Sequence, residues 1–543
     1  MHQPTPRNLT PLPDLGASQG RVGPTRVRMP IYVDLLPPCN QACPAGENIQ
    51  EWLRLVKAKE DHAAWLELTR NNPFPAIHGR VCYHPCETSC NRVELDGAVS
   101  IHSVERYLGD LAIANNWQFQ GPARTSGRKV LVIGSGPSGL SAAYHLAKLG
   151  HEVEVHDSSD LPGGMMRYGI PEYRLPRDVL DAEVDRIRAL GVQFVQNHTV
   201  TDLLAEQAEG HFDAVFVAIG AHLSKRVDIP TMDAGRIVDA VGFLRDVASG
   251  ERPVIGRRVA VYGGGNTAMD AARVARRLGA EESIVVYRRT QEHMPAHAEE
   301  HDEAVREGVK MNWLRTINQF DEGHMQVEIM EINDEGKAVG TGRYETLEAD
   351  TVILALGQEA DSGFLRTIPG MRFDGDVVQV DPNTLMTDVP GIFAGGDAVP
   401  SERTVTIGVG HGKKAARVID RWLAQRPVTE HPKNPVATFD KLNLWYWGDD
   451  RATTQPELDV AQRLNFDEIV GGLTDDQART EAWRCLSCGN CIECDGCLGS
   501  CPEDAVIKLG KGLRYRYDYT KCTGCGTCYE QCPVHAIEMI PER

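Results

Sequence analysis

Residues 129–139 read Lys-Val-Leu-Val-Ile-Gly-Ser-Gly-Pro-Ser-Gly, an apolar run followed by three glycines at fixed spacing. The apolar run predicts a buried β-strand, and the glycines predict the tight turn by which such a strand enters a helix. In such turns the first glycine allows the bend, the second lets backbone approach a pyrophosphate, and the third lets helix and strand pack closely. The predicted helix continues through Leu149, with its positive end towards the phosphates.

A carboxylate follows this turn at the distance typical of a nucleotide site. Asp157 ends the next predicted strand and lies 23 positions after Gly134, where an acid commonly accepts hydrogen bonds from ribose hydroxyls. A glycine turn alone is a weak indication. Strand, turn, helix and acid together favour a dinucleotide site over a turn that binds nothing.

The composition limits the classes of protein to which the chain can belong. Its 543 residues allow several domains, and its net charge of −19 argues against binding to nucleic acid or to an anionic membrane. No apolar run approaches membrane-spanning length, and residues 1–23 resemble neither a secretory signal nor a transit peptide. The sequence therefore predicts a cytoplasmic protein without a membrane span.

The 15 cysteines are unevenly distributed, with five in residues 39–90 and ten in residues 485–532. A cytosolic protein keeps its thiols reduced, so that closely spaced cysteines indicate metal or iron–sulfur ligation more often than disulfides. Residues 91–484 contain no cysteine. That absence excludes a redox-active disulfide within the nucleotide-binding part.

The N-terminal cysteines follow the spacings CxxxCP at 39–44 and CxxxCxxxC at 82–90, on either side of a predicted helical run from Ile49 to Leu68. Thiolates three or four positions apart can converge on one face of a cluster. Zinc is the alternative, but zinc sites typically use paired CxxC motifs, which are missing here.

The C-terminal cysteines form the strongest motif in the chain. Residues 491–502 and 522–533 each follow CxxCxxCxxxCP, the bacterial two-cluster ferredoxin pattern, in which the fourth cysteine of each run binds the other cluster. The predicted ligands are Cys491, Cys494, Cys497 and Cys532 for cluster 3 and Cys522, Cys525, Cys528 and Cys501 for cluster 4.

A second glycine turn begins at Gly263, after an apolar strand and before a helix, with Ala268 in the third glycine position. Its next strand ends in Arg288 and Arg289, where an NADH site usually has an acid. Paired guanidinium groups suit a 2′-phosphate, so the sequence favours NADPH. The alternative is that these arginines stack on adenine or face solvent.

Taken together, these motifs make residues 37–430 resemble the small (beta) subunit of glutamate synthase and the matching region of dihydropyrimidine dehydrogenase. The resemblance also rests on GGMMRYGIP at 163–171 and GIFAGGD at 391–397. It implies a flavin domain interrupted by an NAD(P) domain. It further implies a helical N-terminal domain with two [4Fe-4S] clusters, one with a non-cysteine ligand, for which Glu105 is the match.

The chain departs from that family in one respect. Family members begin with an Ala-x-Arg-Cys-x-x-Cys-Gly segment for the first cluster, which is missing from the N-terminus here. A very similar segment occurs far downstream, as Ala482-Trp-Arg-Cys485-Leu-Ser-Cys488-Gly489. We predict that this pair completes the first cluster from far along the chain, an assignment that uses all 15 cysteines. The alternative is that both are spare thiols and the cluster is absent. The predicted ligands are Cys39, Cys90, Cys485 and Cys488 for cluster 1 and Cys43, Cys82, Cys86 and Glu105 for cluster 2.

The resemblance implies FAD at the first turn and NADP or NAD at the second. Asp397 would accept from the ribityl chain, and the helix starting near Thr404 would stabilise negative charge on the reduced flavin. The predicted FAD residues are Gly134, Ser135, Gly136, Pro137, Ser138, Gly139, Asp157, Gly164, Met165, Tyr168, Gly220, Gly396, Asp397, Thr404 and Thr406. The predicted NAD(P) residues are Gly263, Gly264, Gly265, Asn266, Thr267, Ala268, Arg288, Arg289 and Gly357.

The predicted fold class is α/β, with two Rossmann-like dinucleotide-binding domains, an α-helical iron–sulfur domain and a ferredoxin-like α+β domain. The predicted boundaries are a flexible extension at 1–30, the helical iron–sulfur domain at 31–120, the FAD domain at 121–250 and 356–430, the NAD(P) domain at 251–355, a linker at 431–484 and the ferredoxin domain at 485–543.

Two further patterns each allow a structural and a ligand-binding interpretation. His293, His297 and His301 recur at every fourth position, which on one helix would align three metal ligands, but Pro295 and the neighbouring glutamates favour a solvated helix. Trp445-Tyr-Trp447 lies in the predicted linker and is expected to pack it down rather than to bind a ligand.

The combination predicts an electron converter. NAD(P)H gives two electrons as hydride, clusters accept one at a time, and a flavin does both. We expect no catalytic side chain, because the protein mainly positions the nicotinamide against the flavin. The non-enzyme alternative is a scaffold subunit that only conducts electrons and whose nucleotide sites are inactive.

The resemblance also bears on the partner. The resemblance implies the NAD(P)H-reactive module of a larger complex, such as a 2-oxoacid:acceptor oxidoreductase, a sulfite reductase system or a bifurcating enzyme. The alternatives are a stand-alone NAD(P)H:ferredoxin oxidoreductase and a glutamate synthase small subunit. The added ferredoxin domain and the displaced CxxC argue against the latter.

Overall fold

The computed structural model describes residues 26–225, 229–230, 236–321, 323–428 and 432–542. Most of the predicted flexible extension, residues 1–25, lies outside the described residues. In the part of the chain that is described, no helix is both long and apolar enough to span a bilayer.

The N-terminal region is a layer of short helices with one strand before them. Where one helical run is predicted from Ile49 to Leu68, the structure has two helices, because Lys59 adopts a positive φ of 61°. The amides of Lys59 and Glu60 donate to the carbonyls of Val56 and Leu55 and so close the first helix. The elements are β1 (Arg28–Tyr32), α1 (Pro38–Ala42), α2 (Ile49–Lys57), α3 (Asp61–Thr69), α4 (Pro75–Val81), α5 (Pro85–Thr88) and α6 (Ile101–Ala114).

The first nucleotide-binding unit follows. Its first strand is buried on both faces, as expected of a parallel strand covered by helices. The elements are β2 (Lys129–Ile133), α7 (Pro137–Lys148), β3 (Glu152–His156), α8 (Met165–Tyr168), α9 (Arg177–Arg188), β4 (Gln193–Val195), α10 (Leu203–Glu209), β5 (Ala214–Val217) and β6 (Leu223–Ser224).

The second unit repeats the pattern. The elements are β7 (Arg236–Asp239), α11 (Ala240–Ala248), β8 (Arg258–Tyr262), α12 (Asn266–Arg277), β9 (Glu282–Tyr287), α13 (Ala298–Arg306), β10 (Lys310–Trp313), β11 (Arg315–Asp321), β12 (His324–Ile332), β13 (Ala338–Glu348) and β14 (Thr351–Leu354). The chain then returns to the first unit through β15 (Gln358–Glu359), β16 (Phe373–Asp374), β17 (Val377–Val378), β18 (Ile392–Ala394) and α14 (Val405–Leu423).

Two five-stranded parallel sheets form the centre of the molecule. Their orders are β18-β5-β2-β3-β4 and β10-β9-β8-β14-β7, so the second sheet is inserted between β5 and β18 of the first. This arrangement confirms the predicted α/β class with two Rossmann-like units. Strand β7 and helix α11 differ from the prediction, which placed residues 121–250 with the FAD domain. Strand β7 pairs with β14, and α11 is its crossover helix.

An antiparallel sheet, β11-β12-β13, was not predicted at all. Its inner face packs Ile317, Phe320 and Val327 against Ala260 and Val286 of the second parallel sheet. It therefore covers one face of that sheet, where the other unit has helices and loops.

The C-terminal region lies against the N-terminal one. Its elements are α15 (Asp475–Arg484), α16 (Gly496–Gly499), β19 (Val506–Lys508), β20 (Tyr515–Tyr517), α17 (Thr527–Glu530) and β21 (Ile537–Pro541). Strand β1 pairs antiparallel with β21, so residues 28–30, assigned above to a flexible extension, are part of a sheet. Helix α15 lies within the predicted linker and packs on α2 and α6.

Candidate functional site

The first glycine turn has the close contacts that its spacing predicts. Gly134 has a φ of +102°, and a Cβ atom on Gly139 would lie 1.9 Å from the carbonyl oxygen of Gly134. Asp157, at the end of β3, accepts hydrogen bonds from the amide and hydroxyl of Ser135 at 2.6 and 2.7 Å. The close contact between Gly134 and Gly139 and the hydrogen bonds from Ser135 to Asp157 therefore fix the shape of the turn, and the carboxylate lies beside it.

The GGMMRYGIP segment folds back over this turn. A Cβ atom on Gly164 would lie 2.7 Å from the Cα atom of Gly136, and Gly164 itself has a φ of +52°. The amide of Gly163 donates to the carbonyl of Ser135 at 2.9 Å. Only glycine allows two backbones to approach this closely.

Helix α14 points its N-terminus at the same place. The hydroxyl of Thr404 accepts a hydrogen bond from the amide of Ile407 at 3.2 Å and caps the helix. Asp397 precedes the helix, and burial raises the pKa of its carboxyl to about 6 despite the opposing charge of Arg403.

A single cavity of about 1100 Å³ joins both glycine turns. Its wall contains orphaned buried polar atoms, such as Ser138 Oγ, which has no hydrogen-bond partner among the described residues. Volume, glycine cradles and unpaired polar atoms fit an extended dinucleotide pair. The predicted residues on the wall are Gly134, Gly136, Pro137, Ser138, Asp157, Gly164, Met165, Tyr168, Gly220, Gly263, Gly264, Gly265, Asn266, Thr267, Arg288, Arg289, Gly357, Gly396, Asp397 and Thr404.

Four predicted residues stand behind this wall rather than on it. Gly139 and Ala268 occupy the third glycine position of their turns, where a small residue lets helix and strand pack closely. Ser135 holds Asp157. Thr406 is buried and is not on the wall, and its hydroxyl lies 3.1 Å from the Sγ atom of Cys82.

The second glycine turn also leaves room for a ligand. A Cβ atom on Gly263 would lie 2.2 Å from the carbonyl oxygen of Ala355, whereas one on Gly265 would meet nothing within 4 Å. Arg288 and Arg289 stand on the wall beside it. The Nε atom of Arg289 is buried and has no partner in the part of the structure that is described. These groups fit a phosphate-bearing nucleotide.

Cys39, Cys90, Cys485 and Cys488 line one small hollow between α1, α2 and the end of α15. Burial, with a smaller contribution from thiol neighbours in the set, raises the pKa of the Cys485 thiol to about 11 and that of Cys488 to about 12. Such thiols need an adjacent positive centre to ionise, which a cluster supplies. The four predicted ligands of cluster 1 are thus together.

Helix α15 delivers Cys485 to this hollow. Thr474 and Gln477 form a capping box at its start. At its end the buried Arg484 donates to the carbonyls of Gly97 and Ala98, which follow Cys90 in the chain. Two distant segments are therefore fastened together beside the cysteines.

Cys43, Cys82, Cys86 and Glu105 form a second buried group. Burial raises the pKa of the Cys86 thiol well above its usual value, and Cys43 and Cys82 are close enough to raise it further. Burial likewise raises the pKa of Glu105, with Cys82 among the contributing charges. This donor set fits a cluster with one carboxylate ligand.

Sequence reasoning missed the groups that hold Glu105. The side-chain amide of Asn72 donates to Glu105 and to Glu47 at 2.8 and 2.9 Å, and His78 Nδ1 lies 2.7 Å from the same amide nitrogen. All four side chains are buried. They lie in two loops and two helices, so no local spacing indicated them.

The ferredoxin-type cysteines form two hollows with the crossed connectivity predicted. One is lined by Cys491, Cys494, Cys497 and Cys532, and the other by Cys501, Cys522, Cys525 and Cys528. Tyr32, from β1, places its hydroxyl 3.3 Å from the Sγ atom of Cys497.

The three spaced histidines do not share a helix. His293 lies in a 3₁₀ turn, His297 precedes α13, and His301 lies within it. His297 stacks on Tyr83 with ring centroids 3.5 Å apart. Among the described residues they form no common site. Of the aromatic residues predicted to pack the linker down, Trp447 packs against the buried cluster that contains Cys497 and Tyr517, whereas Trp445 is 64% exposed.

Three family models match the chain. Residues 128–413 match the pyridine nucleotide-disulphide oxidoreductase model. Residues 35–117 match domain II of dihydropyrimidine dehydrogenase, a 4Fe-4S cluster domain, and residues 515–538 match a 4Fe-4S binding domain.

Several known proteins are similar over most of the chain. The beta subunit of NADP(+)-dependent formate dehydrogenase from Moorella thermoacetica is 36% identical over 501 residues, 83% of this chain and 70% of that one. The beta subunit of NADPH-Fe(3+) oxidoreductase from Geobacter sulfurreducens is 34% identical over 505 residues, 83% and 75% of the two chains. The glutamate synthase (NADPH) small chain from Azospirillum brasilense is 32% identical over 431 residues, which are 72% of this chain and 88% of that one.

Proposed function

Since the chain belongs to the pyridine nucleotide-disulphide oxidoreductase family, as a NAD(P)H-dependent flavin and iron–sulfur enzyme, we propose that it is the NADPH-reactive subunit of a larger redox complex. In this proposal one FAD and one NADPH share the large cavity. Four [4Fe-4S] clusters then connect that cavity to the ferredoxin-type end of the chain.

The observation that carries the proposal is the grouping of the cysteines. Fifteen thiols and one carboxylate form four sets of four, and every cysteine of the chain belongs to one of them. Spare thiols would not be expected to group so completely. The grouping supports all four clusters, including the one that unites Cys39 and Cys90 with Cys485 and Cys488.

The connections along the chain support an order for the clusters. Cys39 and Cys43, on and just after α1, join clusters 1 and 2. Cys488 and Cys491 are three residues apart and therefore at most about 11 Å apart, which joins clusters 1 and 3. We infer the order cluster 2, cluster 1, cluster 3, cluster 4, with cluster 2 nearest the cavity.

The side chains around the cavity orient and enclose the nucleotides rather than react. The bound flavin would supply the exchange between two-electron hydride chemistry and single electrons. Asp157 is placed for ribose hydroxyls, the start of α14 for the flavin pyrimidine, and Arg288 with Arg289 for the 2′-phosphate. The GGMMRYGIP segment would exclude water from the space between the rings.

Anaerobic reduction tests the function directly. Adding NADPH to the purified chain should bleach the flavin absorbance and produce the electron paramagnetic resonance signals of reduced clusters. A protein whose flavin bleaches while its clusters remain oxidised would contradict the electron path. A protein with no bleaching would be a wiring scaffold with inactive nucleotide sites.

The relatives support a multi-subunit setting, because the first two are named as beta subunits. Their named reactions differ, from formate oxidation to iron(III) reduction, while all three names include NADP or NADPH. We therefore place NADPH chemistry in this chain and the second substrate in a partner subunit. Affinity purification from the native cell, followed by identification of the stoichiometric partner, tests this assignment. Full turnover of the isolated chain with ferredoxin would contradict it.

Arg289 is expected to determine the choice between NADPH and NADH. Replacing it with alanine should raise the KM for NADPH about 10- to 100-fold, the effect of losing a charge-assisted hydrogen bond, and leave that for NADH within about twofold. Arg315→Ala is the matched control, because Arg315 pairs with Glu345 on the antiparallel sheet, away from the cavity. Equal changes for both nucleotides in Arg289→Ala would contradict the role.

Asp397 should make FAD affinity depend on pH. Burial raises the pKa of its carboxyl to about 6, and ribityl hydroxyls would donate to the ionised form. Binding then favours loss of the proton, so the apparent Kd for FAD should rise as pH falls below 6, by up to about tenfold per pH unit. FAD retention during gel filtration between pH 5.5 and 7.5 measures this. Asp397→Asn should remove the dependence, and an equally steep loss in that variant would exclude Asp397 as its source.

A further inference from the structure

Helix α14 lies between the two redox regions and touches both. On one side, a Cβ atom on Gly412 would lie 2.2 Å from the carbonyl oxygen of Ser138 in the flavin-binding helix α7. On the other side, a Cβ atom on Gly410 would lie 2.3 Å from the carbonyl oxygen of Pro44, next to Cys43. The glycines therefore let one helix pack tightly against the flavin site and against a cluster loop at once.

The side chain of Thr406 completes this bridge. Its hydroxyl lies 3.1 Å from the Sγ atom of Cys82, and the residue is 4% exposed. Its neighbours Val405 and Gly408 are on the cavity wall. The helix thus presents its first turn to the flavin on one side and a hydroxyl to a cluster sulfur on the other.

Cys82 is correspondingly close to the cavity. The residues on either side of it, Val81 and Tyr83, both line the wall. No other cysteine among the described residues is flanked by wall residues in this way. The backbone of 81–83 is therefore the boundary between the nucleotide cavity and cluster 2.

Lys413 fixes the relation between helix and cluster loop. Its buried ammonium donates to the carbonyls of Ala45 and Gly46 at 2.5 and 3.0 Å. These two residues directly follow Cys43 and Pro44 in the chain. Lys413 lies seven positions after Thr406, two turns along the same face of α14. Two contacts on that face, one in the first turn of α14 and one near its middle, therefore tie Cys82 and the loop after Cys43 to this helix.

We propose that Thr406 is a positioning residue that donates a hydrogen bond to the Cys82 sulfur and so tunes cluster 2, which its place beside the cavity makes the first acceptor of electrons from the flavin. This inference rests on the proposed function. Hydrogen bonds to a ligand sulfur stabilise the more negative, reduced cluster and raise its reduction potential. The same contact sets the distance between the flavin and the first cluster.

The electron count is as follows. Oxidation of one NADPH to NADP⁺ releases two electrons and one proton. The electrons leave the flavin singly, each lowers the charge of cluster 2 by one as it arrives, and each passes on before the next. Two one-electron equivalents reach the later clusters, and the proton goes to solvent.

The test compares Thr406→Val with Thr406→Ser in the intact holoprotein. Valine keeps the shape of threonine and removes the donor, whereas serine keeps the donor. Redox titration followed by electron paramagnetic resonance should show the reduction equilibrium of one cluster falling about tenfold in Thr406→Val, the size of a hydrogen bond to a charged group. For one electron this is 59 mV. Thr406→Ser should restore the wild-type value.

Ser141→Ala is the matched control. Its hydroxyl also makes a buried hydrogen bond to α14, to the carbonyl of Val409 at 2.8 Å, but it meets no cysteine. It should leave all cluster potentials unchanged. Equal potentials in wild type and Thr406→Val, or an equal shift in Ser141→Ala, would overturn the role of Thr406. If Thr406→Val does not accumulate, Thr406→Ala against Thr406→Ser gives the same comparison.

Stopped-flow reduction separates this inference from the function itself. After mixing with NADPH, Thr406→Val should bleach its flavin at the wild-type rate and reduce its clusters more slowly. Wild-type protein whose clusters NADPH never reduces would refute the proposed function, while the titration with a chemical reductant would still report on Thr406. If the clusters of wild type and Thr406→Val are reduced at the same rate and have the same reduction potentials, the role of Thr406 alone is refuted.

Discussion

Cys485→Ala is expected to purify with about twelve iron atoms per chain instead of about sixteen, the loss of one [4Fe-4S] cluster. The reason is that Cys485 shares its hollow with Cys39, Cys90 and Cys488, and three thiolates no longer complete the set. Iron and acid-labile sulfide analysis measures the loss. With NADPH, the flavin and cluster 2 should still be reduced, while the two ferredoxin-type clusters should remain oxidised.

The control for this substitution is Thr480→Ala. Thr480 lies on the same helix, with its hydroxyl bonded to the carbonyl of Asp476, and is exposed. It should retain all the iron. Unchanged iron in Cys485→Ala would show that this cysteine is a spare thiol and that cluster 1 is absent or bound elsewhere.

Gly139→Ala is expected to purify without FAD. The added methyl would lie 1.9 Å from the carbonyl of Gly134, so the turn must open and the strand and helix must separate. Flavin absorbance per chain measures the loss. The iron content should stay near the wild-type value, because the cysteines lie outside this turn.

The same substitution in the second turn should act differently. A methyl on Gly265 meets nothing within 4 Å, so Gly265→Ala should fold and keep its FAD. The methyl would occupy the space into which a pyrophosphate fits, and the KM for NADPH should rise by at least about tenfold. Loss of FAD in both variants, or in neither, would contradict the separate roles given to the two turns.

Most of the correct predictions came from residues that lie close together in the sequence. Strand, glycine turn and helix are close in sequence, so residues 129–149 predicted their own structure. The cysteine sets could be predicted because ligand number and spacing are fixed by the cluster. The prediction that Cys485 joins Cys90 came from the likeness of residues 482–489 to the opening motif of the family, and the count of all the cysteines supported it.

The parts that were missed depend on tertiary packing. Strand β7 has no glycine turn after it, and its sheet is decided by pairing with β14. The direction of Thr406 depends on how α14 is rotated between two neighbours, which helix periodicity cannot give. The role of Lys413 could have been predicted, because a lysine on the buried face of an amphipathic helix indicates a specific hydrogen-bond partner.

The pairing of β1 with β21 has a consequence for delivery. The ferredoxin-type end is attached along residues 28–32 and again at the hollow that holds Cys485 and Cys488, so it is anchored at two places. A carrier anchored in this way does not swing between donor and acceptor as a tethered shuttle does. In the proposed electron path, an acceptor protein must therefore bind at a fixed site on the ferredoxin-type end.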